Sequence, residues 1–243
     1  MSSFSLLDVT TWVHGYDMTT DLNQLSLSAE VEDLENTTFG SGGFRSRTGG
    51  LKSVSAELSG YWQSDDAGDA IDPELWANLA QADRVVTIAP DDAEEVPAFM
   101  FKAGEFSFEA FGAVGEVTPF SASMLGTSGE GLIRGQVAKA KASVNSTGAT
   151  GSAVNLGAVG ADQFLYATLH VFSPGTTITV QVEGSATAGF TSPTTHITIG
   201  PITTAGGVWA SRLAGPVTDT YYRFNISAIT GTFQIAGAIG IGL

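Results

Sequence analysis

Between positions 25 and 32 apolar and polar residues alternate strictly: Leu25, Leu27, Ala29 and Val31 are interleaved with Ser26, Ser28, Glu30 and Glu32. A period of two cannot line one side of a helix, but it places every apolar side chain on one face of a strand and every polar one on the other. The same pattern returns from Ser53 to Gly60, with Val54, Ala56 and Leu58 against Ser53, Ser55, Glu57 and Ser59. It appears again from Gly104 to Phe111, with Phe106 and Phe108 against Glu105, Ser107 and Glu109. All three strands carry acids on the wet side. Further strands are predicted at Val85–Ala89, Ala98–Lys102 and Thr118–Leu125. The chain of 243 residues contains 30 glycines and no cysteine, so packing, hydrogen bonds or self-association must hold the fold, without disulfides or thiolate metal sites.

The C-terminal part predicts a second run of strands: Gln163–Ser173, Thr177–Gly184, His196–Ile202, Val208–Gly215, Tyr221–Ile229 and Thr232–Gly242, separated by turn signals such as Pro174-Gly175 and Thr230-Gly231. Charge divides the chain in the same way. Residues 1–130 hold 22 of the 25 acids and 5 of the 10 bases, whereas residues 131–243 hold 3 acids and 5 bases. The stretch between, Gly131 to Asn155, decays into small and polar residues. Its composition predicts a flexible linker over 138–154, separating domains at 1–137 and 155–243. The fold class is all-β with one short helix: an N-terminal barrel or sandwich flanked by the helix, then a jelly-roll or immunoglobulin-like sandwich. The helix opens at Asp72-Pro73-Glu74, with Asp72 as N-cap and Leu75, Trp76 and Leu79 at packing positions.

Sites of catalysis are scarce. His14, His170 and His196 have no metal-ligand spacing, and no nucleophile-elbow or phosphate-loop motif occurs. His170 reads as a hydrogen-bonded histidine at a sheet edge. Two acidic clusters, Asp65/Asp66/Asp69/Asp72 and Asp91/Asp92/Glu94/Glu95, lack the spacing of a calcium loop and read as solvated loops. No cofactor, metal or catalytic residue is expected. Ten bases against 25 acids disfavour attraction to nucleic acid, and no apolar run is long enough to span a membrane. The glycine-rich segment Glu35–Lys52, with three of the ten bases, is too long for an ordinary hairpin turn and demands a role.

The order LSLSAEVEDLENTTFG, glycine-rich loop, GLKSVSAELSGYW and then DPELWANLAQADRVVTIAP resembles the major tail tube proteins of long-tailed, siphovirus-type bacteriophages, over residues 5 to 137. The C-terminal part is similar to β-sandwich domains appended to phage tail proteins. The resemblance implies a structural virion protein, not an enzyme. Hexameric rings assembled in the host cytoplasm would stack into a hollow tail tube through which the genome leaves. Glu30, Glu32, Glu57, Glu105 and Glu109 would face the lumen and repel phosphates. Phe39, Phe44, Arg45, Arg47 and Lys52 would bridge to the next ring. The implied partners are other copies of the chain, a tape measure protein inside, terminator and distal tail proteins at the ends, and DNA in passage without specific binding, with no membrane. The second sandwich would lie on the tube exterior. A competing expectation is a carbohydrate-binding or adhesin module built on that sandwich; a hydrolase using the acidic loops is a weaker one.

Overall fold

The computed structural model describes residues 9–42, 44–63 and 71–243. In chain order the N-terminal part runs β1 (Thr10–Val13), β2 (Tyr16–Asp17), β3 (Leu22–Glu35), β4 (Arg47–Tyr61), α1 (Ile71–Asn78), β5 (Arg84–Ala89), β6 (Pro97–Ala110) and β7 (Pro119–Gly126). The C-terminal part continues with β8 (Ile133–Val144), β9 (Gly148–Asn155), β10 (Phe164–Ser173), β11 (Thr177–Ser185), β12 (Thr194–Ile202), β13 (Gly206–Trp209), β14 (Leu213–Ala214), β15 (Tyr221–Thr230) and β16 (Phe233–Gly242). The all-β class with a single short helix holds among the described residues.

The strands form two sheets. The larger runs β13-β10-β16-β8-β6-β5-β1-β2, and from β6 a branch continues through β7 and β4 to β3. The smaller has the order β12-β11-β15-β9. Three cores fill the spaces between them. The smaller sheet packs on one face of β10 and β16 through Val180, Val182, Tyr222, Phe224, Phe233 and Ile235. The opposite face of the same strands closes over Trp12, Met100, Val137 and Tyr166. A third core joins β1, β5 and β6 to the branch and the helix through Val13, Leu58, Ile71, Leu75, Phe101 and Met124. Each fully buried large apolar side chain contributes roughly 1.5–3 kcal/mol relative to exposure. Because β10 and β16 are covered on both faces, they read as nearly continuous apolar runs instead of alternating ones. Gly237 is required by this arrangement: a Cβ there would stand 2.6 Å from the Thr168 carbonyl oxygen and 2.8 Å from the Phe224 ring.

The expected flexible linker at 138–154 is instead mostly strand. Val137 and Lys139 pair with β16, while Gly148–Asn155 pairs with β15 in the other sheet. Small residues in this stretch reflect close strand packing, not mobility: a Cβ on Gly151 would fall 2.0 Å from the Ala138 carbonyl oxygen. The two parts therefore share one sheet, and β8 belongs to both. They are also joined polar group to polar group. His170 donates from Nδ1 to the His14 carbonyl at 2.7 Å, its Nε2 lies 2.8 Å from Thr87 Oγ1, and the Gly207 amide donates to His14 Nδ1 at 3.0 Å. His170 lies inside the sheet between β13 and β16, not at an edge.

Burial pushes the pKa of both His14 and His170 down to about 4, with Arg84 adding to the effect at His14. In the unfolded chain these rings titrate near 6.5, so between about pH 6.5 and pH 4 the unfolded state binds protons that the folded state refuses. Stability is present above pH 6.5 and falls as the pH drops through that window. His14→Asn keeps an acceptor for Gly207 and tolerates the positive φ of 55° at this turn. Thermal melts from pH 7 to pH 4 are expected to show a shallower acid loss for this variant than for the parent; identical slopes would exclude His14 as a contributor.

The helix starts at Ile71, two residues before the expected first helical position at Pro73, and ends at Asn78. Asp72 lies within its first turn and accepts a hydrogen bond from Trp62 Nε1 at 2.9 Å. Ile71, Leu75 and Asn78 are buried, whereas Trp76, expected at a packing position, is 68% exposed. In a helix only two turns long, the buried stripe at 71, 75 and 78 leaves position 76 on the far side.

Candidate functional site

The branch β3-β4-β7-β6 places the alternating segments side by side. Register sets Ser26 opposite Glu57, Ser28 opposite Ser55 and Glu30 opposite Ser53. Glu57 then faces Ser123, Ser59 faces Ser121, and on the last strand Ser107 and Glu109 face Ser123 and Ser121. Directly paired residues project from the same face of a sheet, so these side chains form one polar surface of serines punctuated by Glu30, Glu57 and Glu109, all three exposed. Ser107 and Ser123 are hydrogen-bonded across it at 2.6 Å. The reverse face carries Leu58, Ala56 and Val54 beside Phe120, Ala122 and Met124, all buried.

Glu32 stands farther out on β3, exposed, with Oε2 at 3.5 Å from the Leu51 amide nitrogen that donates to it. Glu105 departs from the expected surface. Register shifts between Glu105 and Ser107, so that Glu105 pairs with Met124 while Ser107 pairs with Ser123. The extra residue is a β-bulge, and it turns Glu105 to the apolar side of the sheet, where simple alternation cannot put it. There it is fully buried, neither carboxylate oxygen has a hydrogen-bond partner among the described residues, and burial raises its pKa to about 8.

Among the described residues both edges of this four-stranded branch are free. Among the described residues β3 pairs with β4 alone over its 14 residues. Beyond the backbone contact of Glu105 with the end of the helix, Ser107–Ala110 of β6 likewise pairs with β7 alone among the described residues. Unpaired edges of this length are templates for another strand. Beside the β3 edge, on its apolar side, lies a groove of about 460 Å³ lined by Leu22, Leu25, Leu27, Ile88 and Phe99 among others.

β3 and β4 also outrun the sheet. β7 meets β4 from Ser55 to Tyr61, and from Lys52 outward the two strands pair only with each other among the described residues. This ribbon ends in a 3-10 turn at Phe39–Ser41. Arg47 and Lys52, expected in a loop, are strand residues of the ribbon; the true connection is 36–46. Arg47 pairs with Asp33 and Arg45 with Glu35 at 3.8 Å, all exposed. At the tip Phe39 is 112% exposed and Phe44 82%. A lone two-stranded ribbon has little stability of its own in water, so apolar tips held out in this way call for a covering surface.

Elsewhere there is little to suggest chemistry. No group of three or more metal-ligating side chains occurs among the described residues. In the second acidic cluster Glu94 is engaged by Lys139 and the Ala140 amide, and Asp91 by the Ala93 amide. Asp65, Asp66 and Asp69 lie outside the described residues. His196 is paired with Asp219 at 2.7 Å in the C-terminal sandwich.

No protein-family model matches the sequence, and no curated protein matches it. Similar solved structures are the tail of an empty gene transfer agent particle refined with C6 symmetry, the extended sheath-tube complex of an extracellular contractile injection system, and the Dit hub protein of phage SPP1. The first is 16% identical, covering 54% of this chain and 97% of its own, with a TM-score of 0.42. The second is 13% identical, covering 56% and 93%, with a TM-score of 0.44. The third is 10% identical, covering 97% and 99%, with a TM-score of 0.39.

Proposed function

We propose that this protein is a structural subunit of a phage tail tube, in which copies join edge to edge into rings and the rings stack into a conduit for DNA. The observation that carries the reading is the four-stranded branch with a polar face, an apolar back and two free edges. The strands alternate in direction, and four is an even number. The β6 edge of one copy and the β3 edge of the next are therefore antiparallel when neighbours are related by rotation about an axis along the strands. Phe108 of the incoming edge would cover the groove beside Leu25 and Leu27, and the Ser/Glu faces would join into one wall. With that wall turned inward, Glu30, Glu57 and Glu109 of every copy line the bore, with Glu32 at its margin. Like charge then keeps a passing polyanion from adhering. Six copies per ring, contacts with tape measure and terminal tail proteins, and an exterior position for the C-terminal sandwich follow the sequence resemblance.

Electron microscopy of the purified protein tests the reading. Rings or tubes are expected; a monodisperse monomer at high concentration rejects it. For the wall charge, the triple variant Glu30→Lys, Glu57→Lys, Glu109→Lys is expected to form tubes yet reduce DNA delivery by about tenfold or more. Unchanged infectivity of virions carrying it would reject electrostatic repulsion as the purpose of these residues.

A further inference from the structure

Resting on the tube reading, we infer that the loop joining β6 to β7, residues 111–118, is the socket on which the ribbon tip of an axially adjacent copy seats. The topology puts the two features at opposite ends of the same sheet. β4 runs from Arg47 near the tip to Tyr61, which pairs with Pro119 at the foot of the loop. The tip is thus displaced from the loop by nearly the whole of β4, about 40 Å at strand rise. Copies stacked in one orientation along the strand direction bring the tip of each toward the loop of the next.

The two surfaces match in chemistry. The loop is apolar where a solvent-facing hairpin turn is ordinarily polar: Phe111, Val114 and Val117 are 71%, 106% and 68% exposed, and Tyr61 beside them is also exposed. It is firmly held from beneath, since the Trp62 amide donates to the Thr118 carbonyl at 2.8 Å and the Trp62 and Phe111 rings lie 5.3 Å apart. The tip offers Phe39 and Phe44. Charge is complementary as well. Residues 36–52 contain Arg45, Arg47 and Lys52 and no acid, whereas no lysine or arginine occurs in residues 53–83 or 103–133. Glu116 lies in the loop, Glu109 just before it, and Asp72 is hydrogen-bonded to Trp62. The ion pairs that Arg45 and Arg47 make within the ribbon are exposed and weak, so exchanging Asp33 and Glu35 for acids of the next copy costs little.

The natural absence of cysteine makes the contact directly testable. The double variant Phe39→Cys, Val114→Cys is allowed to assemble and then oxidised. A ladder of covalent multimers on a non-reducing gel is expected, with each single variant giving no species beyond a dimer. Val114→Asp, at a fully exposed position, is expected to leave the monomer's melting temperature unchanged and to reduce tube yield about tenfold. Tubes by microscopy without a ladder, or normal tubes from Val114→Asp, would place the socket elsewhere while leaving the tube reading intact. Failure of the unsubstituted protein to assemble would overturn both.

Discussion

Replacing Glu105 with glutamine is expected to raise the melting temperature by roughly 5 °C at pH 9 and to leave it nearly unchanged at pH 5. The sign follows from the carboxyl group's surroundings. Its pKa is near 4.5 when unfolded and about 8 in the buried, unpartnered site. Between those values the folded chain binds a proton that the unfolded chain does not, so the stability it contributes is fully present below pH 4.5 and is lost as pH rises through 8. At pH 9 folding requires either carrying the proton or burying a charge, and glutamine removes the choice. Discounted for solvent near the sheet edge, the gain is on the order of 2 kcal/mol. Melts of both proteins across pH 5 to 9 check this; parallel curves would mean that Glu105 ionises freely. The two buried histidines act in the opposite sense and outweigh the single carboxyl below about pH 6.5, so these three groups together place the parent protein's maximum stability near pH 6.5.

The second large effect concerns the ribbon. Val31 and Lys52 are paired, so residues 32–51 can be replaced by an Asn-Gly turn without disturbing the register of the rest of the hairpin. Among the described residues nearly all of the excised side chains are exposed and none belongs to the three cores. The shortened monomer is expected to melt within about 2 °C of the parent, because surface residues away from packing contribute little. Tube formation should be abolished. Normal tubes from this variant, seen by microscopy, would remove the ribbon from any role in stacking.

Much of the branch was legible in the sequence because it is half-buried: one wet face and one dry face write alternation directly into Leu25–Glu32 and Ser53–Gly60. The placement of Glu105 escaped, as did the outer end of β4, where Arg47 and Lys52 read as loop. A bulge reverses the facing of everything before it, and no composition signal marks it. The shared sheet was harder to foresee. β8 and β9 are rich in alanine, glycine and serine because strands approach one another closely there, the same composition that a loose tether has. The coupling of His14 to His170 joins residues 156 apart, a separation that no local pattern reports. The loop at 111–118 did leave a trace, an apolar Phe-Gly-Ala-Val-Gly-Glu-Val where turn residues with polar side chains are usual, but its meaning depends on which end of the sheet it occupies.

The even strand count of the branch carries a consequence for symmetry. Joining edges never forces two strands into the wrong polarity, whatever the number of copies already present, so hydrogen bonding places no limit on circumference. The size of a closed circle falls instead to the angle between successive copies. In the proposed ring that angle would follow from twist across the β6–β3 seam and from the bulk of Phe108 beneath it, which would make a single side chain under the seam the place where evolution or design changes bore diameter.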